Sequence, residues 1–426
     1  MNQEVLNPMS KIPATDKRRI VIIGGGFAGL ELAKALIDTD YQVVMLDKNN
    51  YHTFQPLLYQ VATAGLDPDS VAAPLRESLR GENFYFRMAE VLEVIPQQHQ
   101  VKTDIGPVYY DYLVIATGAK SNFFGNTDLS EKTFTLKSVE EAFELRNHLF
   151  NCFERAVEIT DANLKDELLN VVIVGGGPTG IEMAGALSEL KKKLLPKEYD
   201  TIENQLMNIY LVEGLDDVLN GMSEFASEKT RSYLAKLGVN LKTNTFLENV
   251  DNGELSFSDG STLRAKTIVW AAGVKGNVIQ GLNEEKIEKS RIKTDDYNRV
   301  LGYENIFAIG DVASVESEEG PYPMLAPIAM QQGQNLAKNF KRLLKKKPLN
   351  PFSYFDKGVM ATIGRNKAVV DMPFGIQFSG FPAWLSWMFI HLFFLVGFRR
   401  KMVVFSNWVY NYFTYNKSTK AIIGNK

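Results

Sequence analysis

Arg19 to Leu36 reads RIVIIGGGFAGLELAKAL, and Asn170 to Leu187 reads NVVIVGGGPTGIEMAGAL. Both stretches run from a short β-branched segment through a glycine cluster into helical spacing. Each is followed by a strand-like run ending in an acid, VVML before Asp47 and NIYLV before Glu213. Each closes on an apolar strand and a glycine turn, YLVIATG at Gly118 and TIVWAAG at Gly273. From first glycine to closing glycine the distance is 94 residues in one copy (24 to 118) and 98 in the other (175 to 273). Four landmarks in one order at matching spacing predict two similar α/β domains.

The glycines explain what such domains hold. Gly24, Gly26 and Gly29 form G-x-G-x-x-G straight after the strand. The first glycine permits the tight turn, the second lets the backbone approach a pyrophosphate, and the third lets helix and strand pack closely. The helix that follows, opening with Phe27 and Ala28, points its free N–H groups at the phosphates. Asp47, 23 residues after Gly24 and next to Lys48, stands where a carboxylate accepts from a ribose. Gly175, Gly177, Thr179 and Gly180 repeat the loop. Their acid, Glu213, lies 38 residues after Gly175, and the excess is read as an insertion at about Lys191 to Leu206. A carboxylate there favours NADH, because a 2′-phosphate calls for a cation. The turns Ala116-Thr117-Gly118 and Ala272-Gly273 close the two sites. Glu182 follows the second loop within its helix, where it is either an ordinary exposed glutamate or a group beside the nicotinamide. Asp311, after Gly310 in IFAIGDVAS, presents a carboxylate at a strand end.

Composition bounds the rest. The chain has 426 residues, 45% apolar and 23% charged, as a globular protein does. A net charge of −3 gives no pull toward nucleic acid. The single cysteine, Cys152, excludes disulfide and CxxC chemistry within one chain, and four scattered histidines suggest no metal site. The first 19 residues lack an apolar core, so no secretory signal is expected. From Phe381 onward there are six cations and no acid, which leaves −9 on residues 1–380.

Taken together, GGGFAGLE, ATG, GGGPTGIE and FAIGDVA resemble the two-dinucleotide-binding-domain flavoproteins. Three further segments resemble the type II NADH dehydrogenases in particular. They are NNYHTFQPLLYQVATAGLDP (Asn49 to Pro68), APIAMQQGQ (Ala326 to Gln334), and an aromatic, basic C-terminal end. The resemblance implies FAD on the first repeat, with Asp311 near its ribityl and phosphate chain, and NADH on the second, with Glu182 toward the nicotinamide. It implies a quinone site at Ala326, Pro327, Ala329 and Gln331, with Pro327 where the family usually has glutamine. Hydride would pass from NADH to FAD and two electrons to a membrane quinone, without proton pumping. Menaquinone and ubiquinone head groups are not separated by these residues. A reductase of a small iron–sulfur protein and a non-catalytic NADH sensor remain the alternatives.

The expected architecture is two Rossmann-like domains, an FAD domain (1–125 and 290–375) and an NADH domain (126–289), plus a C-terminal amphipathic helical membrane-anchoring segment (376–426). Phe381 to Phe398 has 18 uncharged residues, about 27 Å as a helix, against a hydrocarbon thickness of about 30 Å. NADH is a cytoplasmic cofactor, and Arg399, Arg400 and Lys401 also prefer the cytoplasmic side. Both ends of the segment therefore want one face, and the next run is too short to return. The tail is expected to lie in the interface at the cytoplasmic face of the inner membrane. Val404, Phe405, Trp408, Val409 and Tyr412 would face lipid, with Asn407, Asn411 and Thr414 opposite. The bland alternative is a buried helix or a dimer interface, and a homodimer would widen the lipid-facing surface.

Overall fold

A computed structural model describes residues 11–199, 202, 207–318, 320–414 and 419–424. The chain divides into two compact units. The first comprises 1–52, 73–120 and 274–355, and the second 53–72, 121–273 and 356–426.

The first unit is built on a five-stranded parallel sheet. Its order is Ile306–Ala308, Tyr112–Ile115, Arg19–Ile23, Gln42–Asp47 and Phe84–Met88. Ile20 to Ile23 are all buried, as expected of a strand covered on both faces, which reads as a continuous apolar run rather than an alternating one. The helix Phe27–Leu36 leaves this strand through the glycine loop and lies against the helix Ala326–Leu344. The two backbones approach closely at Gly333, where a Cβ would stand 2.4 Å from the Ala28 carbonyl oxygen.

The second unit repeats the plan with four parallel strands, ordered Val239–Lys242, Ile209–Val212, Val171–Val174 and Thr267–Trp270. Its phosphate-side helix, Pro178–Lys193, is longer than its counterpart, and a short helix, Leu195–Glu198, follows. Helix length thus accounts for part of the wide spacing to Glu213. Residues 200–201 and 203–206 of the expected insertion lie outside the described residues.

The chain after residue 356 belongs to this second unit instead of standing apart, and strands 359–364 and 367–372 belong to it as well. Val359–Gly364, Lys367–Met372 and Ile376–Ser379 form an antiparallel sheet laid on the helix Pro178–Lys193. Gly185 makes the contact possible, since a Cβ there would sit 2.6 Å from the Ile363 carbonyl oxygen. Two tail helices follow, Phe381–Phe394 and Phe398–Thr414, separated at Gly397, whose φ is +90°. Among the described residues no helix is long and apolar enough to cross a membrane.

The tail sorts its aromatics differently from the sequence expectation. Val404 and Trp408 are buried, and Trp408 donates from Nε1 to Gln60 Oε1 at 2.8 Å. Phe405 and Val409 remain exposed, within a stripe formed by Phe398, Met402, Phe405, Val409 and Phe413. The first tail helix carries its own exposed stripe, Phe381, Leu385, Phe389 and Phe393, at intervals of four. Asn411, expected on the polar face, donates to the Gly65 carbonyl at 3.3 Å. The physical reason is that Trp and Asn carry N–H groups that find acceptors on the protein, whereas phenylalanine has none to satisfy.

Candidate functional site

The two glycine loops share the same atomic construction. Gly24 has φ +107° and Gly175 has φ +115°, conformations that favour glycine. A Cβ on Gly29 would stand 2.0 Å from the Gly24 carbonyl oxygen, and one on Gly180 would stand 1.9 Å from that of Gly175. At Gly26 and Gly177 a Cβ would meet nothing within 4 Å. The outer and inner glycines are therefore required by the protein itself. The middle ones leave bare backbone facing open space at a helix N-terminus, where an anion is stabilised.

The acids also correspond. Asp47 Oδ2 accepts from Gly25 N–H at 2.6 Å and Oδ1 from Asn49 N–H at 2.8 Å. Glu213 Oε2 accepts from Gly176 N–H at 2.5 Å and Oε1 from Leu215 N–H at 2.8 Å. A carboxylate offers about four acceptor positions, so each retains capacity for ribose hydroxyls. Burial pushes the Asp47 carboxyl up, and the Gly25 and Asn49 N–H groups oppose that shift. Lys48 and Thr179 are exposed beside their loops, Phe27 is partly exposed, and Ala28 is buried.

The closing turns support the loops. Ala116 N–H donates to the Ile23 carbonyl at 2.8 Å, and Ala271 N–H donates to that of Val174 at 2.7 Å. Gly118 and Gly273 have φ of +67° and +148°, Thr117 Oγ1 donates to the Asn277 carbonyl at 2.6 Å, and Ala272 is partly buried. In the first unit, Gly310 has φ +74° and its N–H donates to Gln332 Oε1 at 2.6 Å. This holds the turn that presents Asp311, which is half-buried.

Two residues missed by sequence reasoning support the first unit's site. Gln332 pins the Gly310 turn from a neighbouring helix. His52 is buried, donates from Nδ1 to the Gly25 carbonyl at 2.9 Å, and meets the Phe27 ring edge-on at 5.0 Å. Burial pushes its imidazole down to about 4, so it braces the loop as a neutral ring at pH 7. Neither role leaves a local sequence signal, because each depends on a partner more than 20 residues away.

The segment 326–331 opens the helix Ala326–Leu344. Pro327 sits in the first turn, where its missing N–H has no intrahelical partner to lose. Ala329 is buried, and its Cβ lies 3.5 Å from where a Gly310 Cβ would be. Gln331 Nε2 donates to the Phe355 carbonyl at 2.9 Å, and its Oε1 accepts from Phe355 N–H at 3.0 Å. Its amide therefore fixes the chain that leaves the first unit.

Glu182 is enclosed rather than exposed on its helix. Its Oε1 accepts from Trp387 Nε1 at 3.1 Å and from Thr362 N–H at 3.5 Å. Burial pushes its carboxyl up to about 8, against the lowering effect of those two donors. It lines a cavity of about 150 Å³ within the second unit, walled by Tyr59, Gln60, Thr362, Trp387 and Trp408 among others. Burial thus favours the protonated acid near neutral pH, where a carboxyl can exchange its proton.

Residues 18–333 match the family described as pyridine nucleotide-disulphide oxidoreductase, and residues 357–415 match the NDH2 C-terminal domain. The chain is 34% identical to type II NADH:quinone oxidoreductase Ndh of Mycobacterium tuberculosis, over 95% of this chain and 90% of that one. It is 32% identical to type II NADH:quinone oxidoreductase of Staphylococcus aureus, over 86% and 92% of the two chains. The solved structure of NDH2 from Plasmodium falciparum in complex with NADH superimposes with a TM-score of 0.88 at 21% identity, covering 96% of this chain and all of that one. With its two dinucleotide loops and its NDH2-type C-terminal segment, the chain belongs to the type II NADH:quinone oxidoreductase family.

Proposed function

We propose that the protein oxidises NADH and passes two electrons to a membrane quinone through FAD, without pumping protons. The observation that carries this reading is the duplicated loop, with the same glycine contacts and the same acid-to-N–H bond in each unit. One loop is assigned to FAD and the other to NADH. When bound, FAD supplies hydride acceptance and stepwise release of two electrons, and the protein contributes distance, orientation and proton handling. In the first unit Gly24, Gly26 and Gly29 would hold the pyrophosphate, Asp47 the ribose, and Asp311 the ribityl chain. In the second unit Gly175, Gly177, Gly180 and Glu213 would hold NADH. The Ala326–Gln331 segment is assigned to the quinone. The enclosure of Glu182 favours a store for a proton that the quinone takes up over contact with the nicotinamide.

The exposed Phe and Leu stripes of the tail, flanked by Arg399 and Lys401, suit a lipid surface, the aromatics by burial and the cations by attraction to anionic headgroups. Monotopic attachment at the cytoplasmic face and a homodimer complete the proposal. The test is anaerobic. NADH should bleach the bound flavin, and a short-chain quinone should restore it. Flavin that NADH leaves oxidised would refute the reading.

Two substitutions report on the parts. Glu213→Gln removes the charge that faces the ribose. It should raise the NADH KM about tenfold or more, the loss of one charge-assisted hydrogen bond, with kcat with quinone unchanged. An unaltered KM would remove Glu213 from the site. Glu182→Gln keeps the acceptor oxygen but carries no titrating proton. It should lower quinone-dependent kcat about 100-fold and leave flavin reduction by NADH intact.

The same variant has a stability signature. A carboxyl raised from 4.5 to about 8 binds its proton more tightly in the folded state. Wild-type stability should therefore fall as pH rises from about 5 to about 8, by about 1.4 kcal/mol per unit, and level off above. Thermal melts of Glu182→Gln should lack that slope, and parallel profiles would contradict the shift.

A further inference from the structure

The tail helices do more to the second unit than cover it. Trp387, on the first of them, is 2% exposed and lies on the side away from the Phe381, Leu385, Phe389 and Phe393 stripe. Its only polar group is one N–H, which can donate and never accept. That N–H meets Glu182 Oε1, and the Thr362 N–H meets the same oxygen. Two donors on Oε1 favour it as the carbonyl oxygen of the protonated acid, which leaves Oε2 to carry the proton. The indole is held in turn. It stacks on the His391 ring at 4.0 Å between centroids, and it meets the Tyr59 and Trp408 rings at 6.3 and 5.9 Å. His391 Nδ1 donates to the Trp387 carbonyl at 2.8 Å.

We propose that Trp387 is a positioning residue for the proton of Glu182, fixing which carboxyl oxygen carries it and making its retention depend on the docked tail helix. This rests on the proton-store reading of Glu182 given above. The electrostatic surroundings are sparse enough for one N–H to matter. Strand Val359–Gly364 carries no titratable side chain, helix Leu58–Ala62 contributes only Tyr59, and the tail helix Phe381–Phe394 contributes only His391. His391 is pushed down to about 4 by burial and is neutral, and the Tyr59 hydroxyl is pushed well above its usual range, chiefly by burial. Glu189 and Lys193 on the same helix, Arg365, and Tyr412 on the second tail helix are the other titratable groups that line the cavity. Removing the indole N–H takes away a bond that favours the carboxylate. The acid should then hold its proton to higher pH by about one unit.

The test is infrared titration of the FAD-loaded full-length protein, using wild type, Glu182→Gln and Trp387→Phe. Wild type should show a protonated carboxyl band that is lost in alkali and absent from Glu182→Gln. In Trp387→Phe that band should move to higher wavenumber and persist about one pH unit further. The alkaline limb of quinone-dependent kcat should move with it, and the NADH KM should not. A band unchanged in position and midpoint in Trp387→Phe overturns the proposal and leaves the proton store standing. A wild type with no band that Glu182→Gln removes overturns both. If Trp387→Phe fails to fold, resonance Raman of the wild-type indoles decides. One N–H band should shift as Glu182 titrates and stay fixed in Glu182→Gln, and a pH-independent indole spectrum refutes the proposal.

Discussion

Gly29→Ala is expected to yield protein without stably bound flavin, with NADH oxidation reduced at least about 100-fold and a lowered Tm. The added methyl would lie 2.0 Å from the Gly24 carbonyl oxygen, with the Gly24 carbonyl carbon at 3.1 Å. Both are backbone atoms at the base of the loop, so no side chain can swing aside. The helix must retreat from the strand, at a cost of about 1–3 kcal/mol or more. A shift of about 1 Å also misaligns every N–H that would face the pyrophosphate, and positioning errors of that size are costly. Gly26→Ala separates stability from binding. Its methyl meets no protein atom within 4 Å, so the Tm of the flavin-free protein should hold while flavin content falls. The flavin-to-protein absorbance ratio and a thermal melt of each variant decide. Gly26→Ala with full flavin would show that the loop does not hold the cofactor's phosphates.

Removal of residues 381–426 is expected to abolish quinone reduction, by more than about tenfold even with a water-soluble quinone, and to release the protein from liposomes. Flavin should remain, because the loop assigned to it lies in the first unit. A tail that only anchored the protein would lose liposome binding and nothing more. Here it also supplies a cavity wall. Trp387 bonds Glu182, Trp408 bonds Gln60, and Asn411 bonds the Gly65 carbonyl. Without the tail Glu182 meets water, and its carboxyl returns toward the usual range near 4.5, losing its proton at neutral pH. Ferricyanide, which needs no proton from the protein, should still be reduced. Full activity of the truncated protein with a short-chain quinone would confine the tail to attachment.

The nucleotide loops were legible because their constraints are local. A strand, a tight turn and a close helix crossing each demand glycine at a fixed position, and Gly24 and Gly175 adopt the positive φ that the pattern implies. The tail was legible only in outline. Phe381–Phe394 is apolar on every side, so periodicity could not tell the face toward the protein from the face toward lipid. The hydrogen-bonding end of Trp387 marks the face toward the protein, and its partner lies 205 residues away in sequence. For the same reason Glu182 read as either an exposed glutamate or a nicotinamide neighbour, although its carboxyl is enclosed. Pro327, where the family usually has glutamine, is ordinary in the first turn of a helix. Gln331 was placed by its motif, but its tie to Phe355 could not be seen from it.

The most direct measurement is steady-state NADH oxidation by purified protein in liposomes, with and without a short-chain quinone. Fast oxidation that requires the quinone, and is much slower when NADPH replaces NADH, is the predicted result. NADH oxidation that proceeds no faster with quinone than without it, from protein carrying a full complement of flavin, would contradict the account.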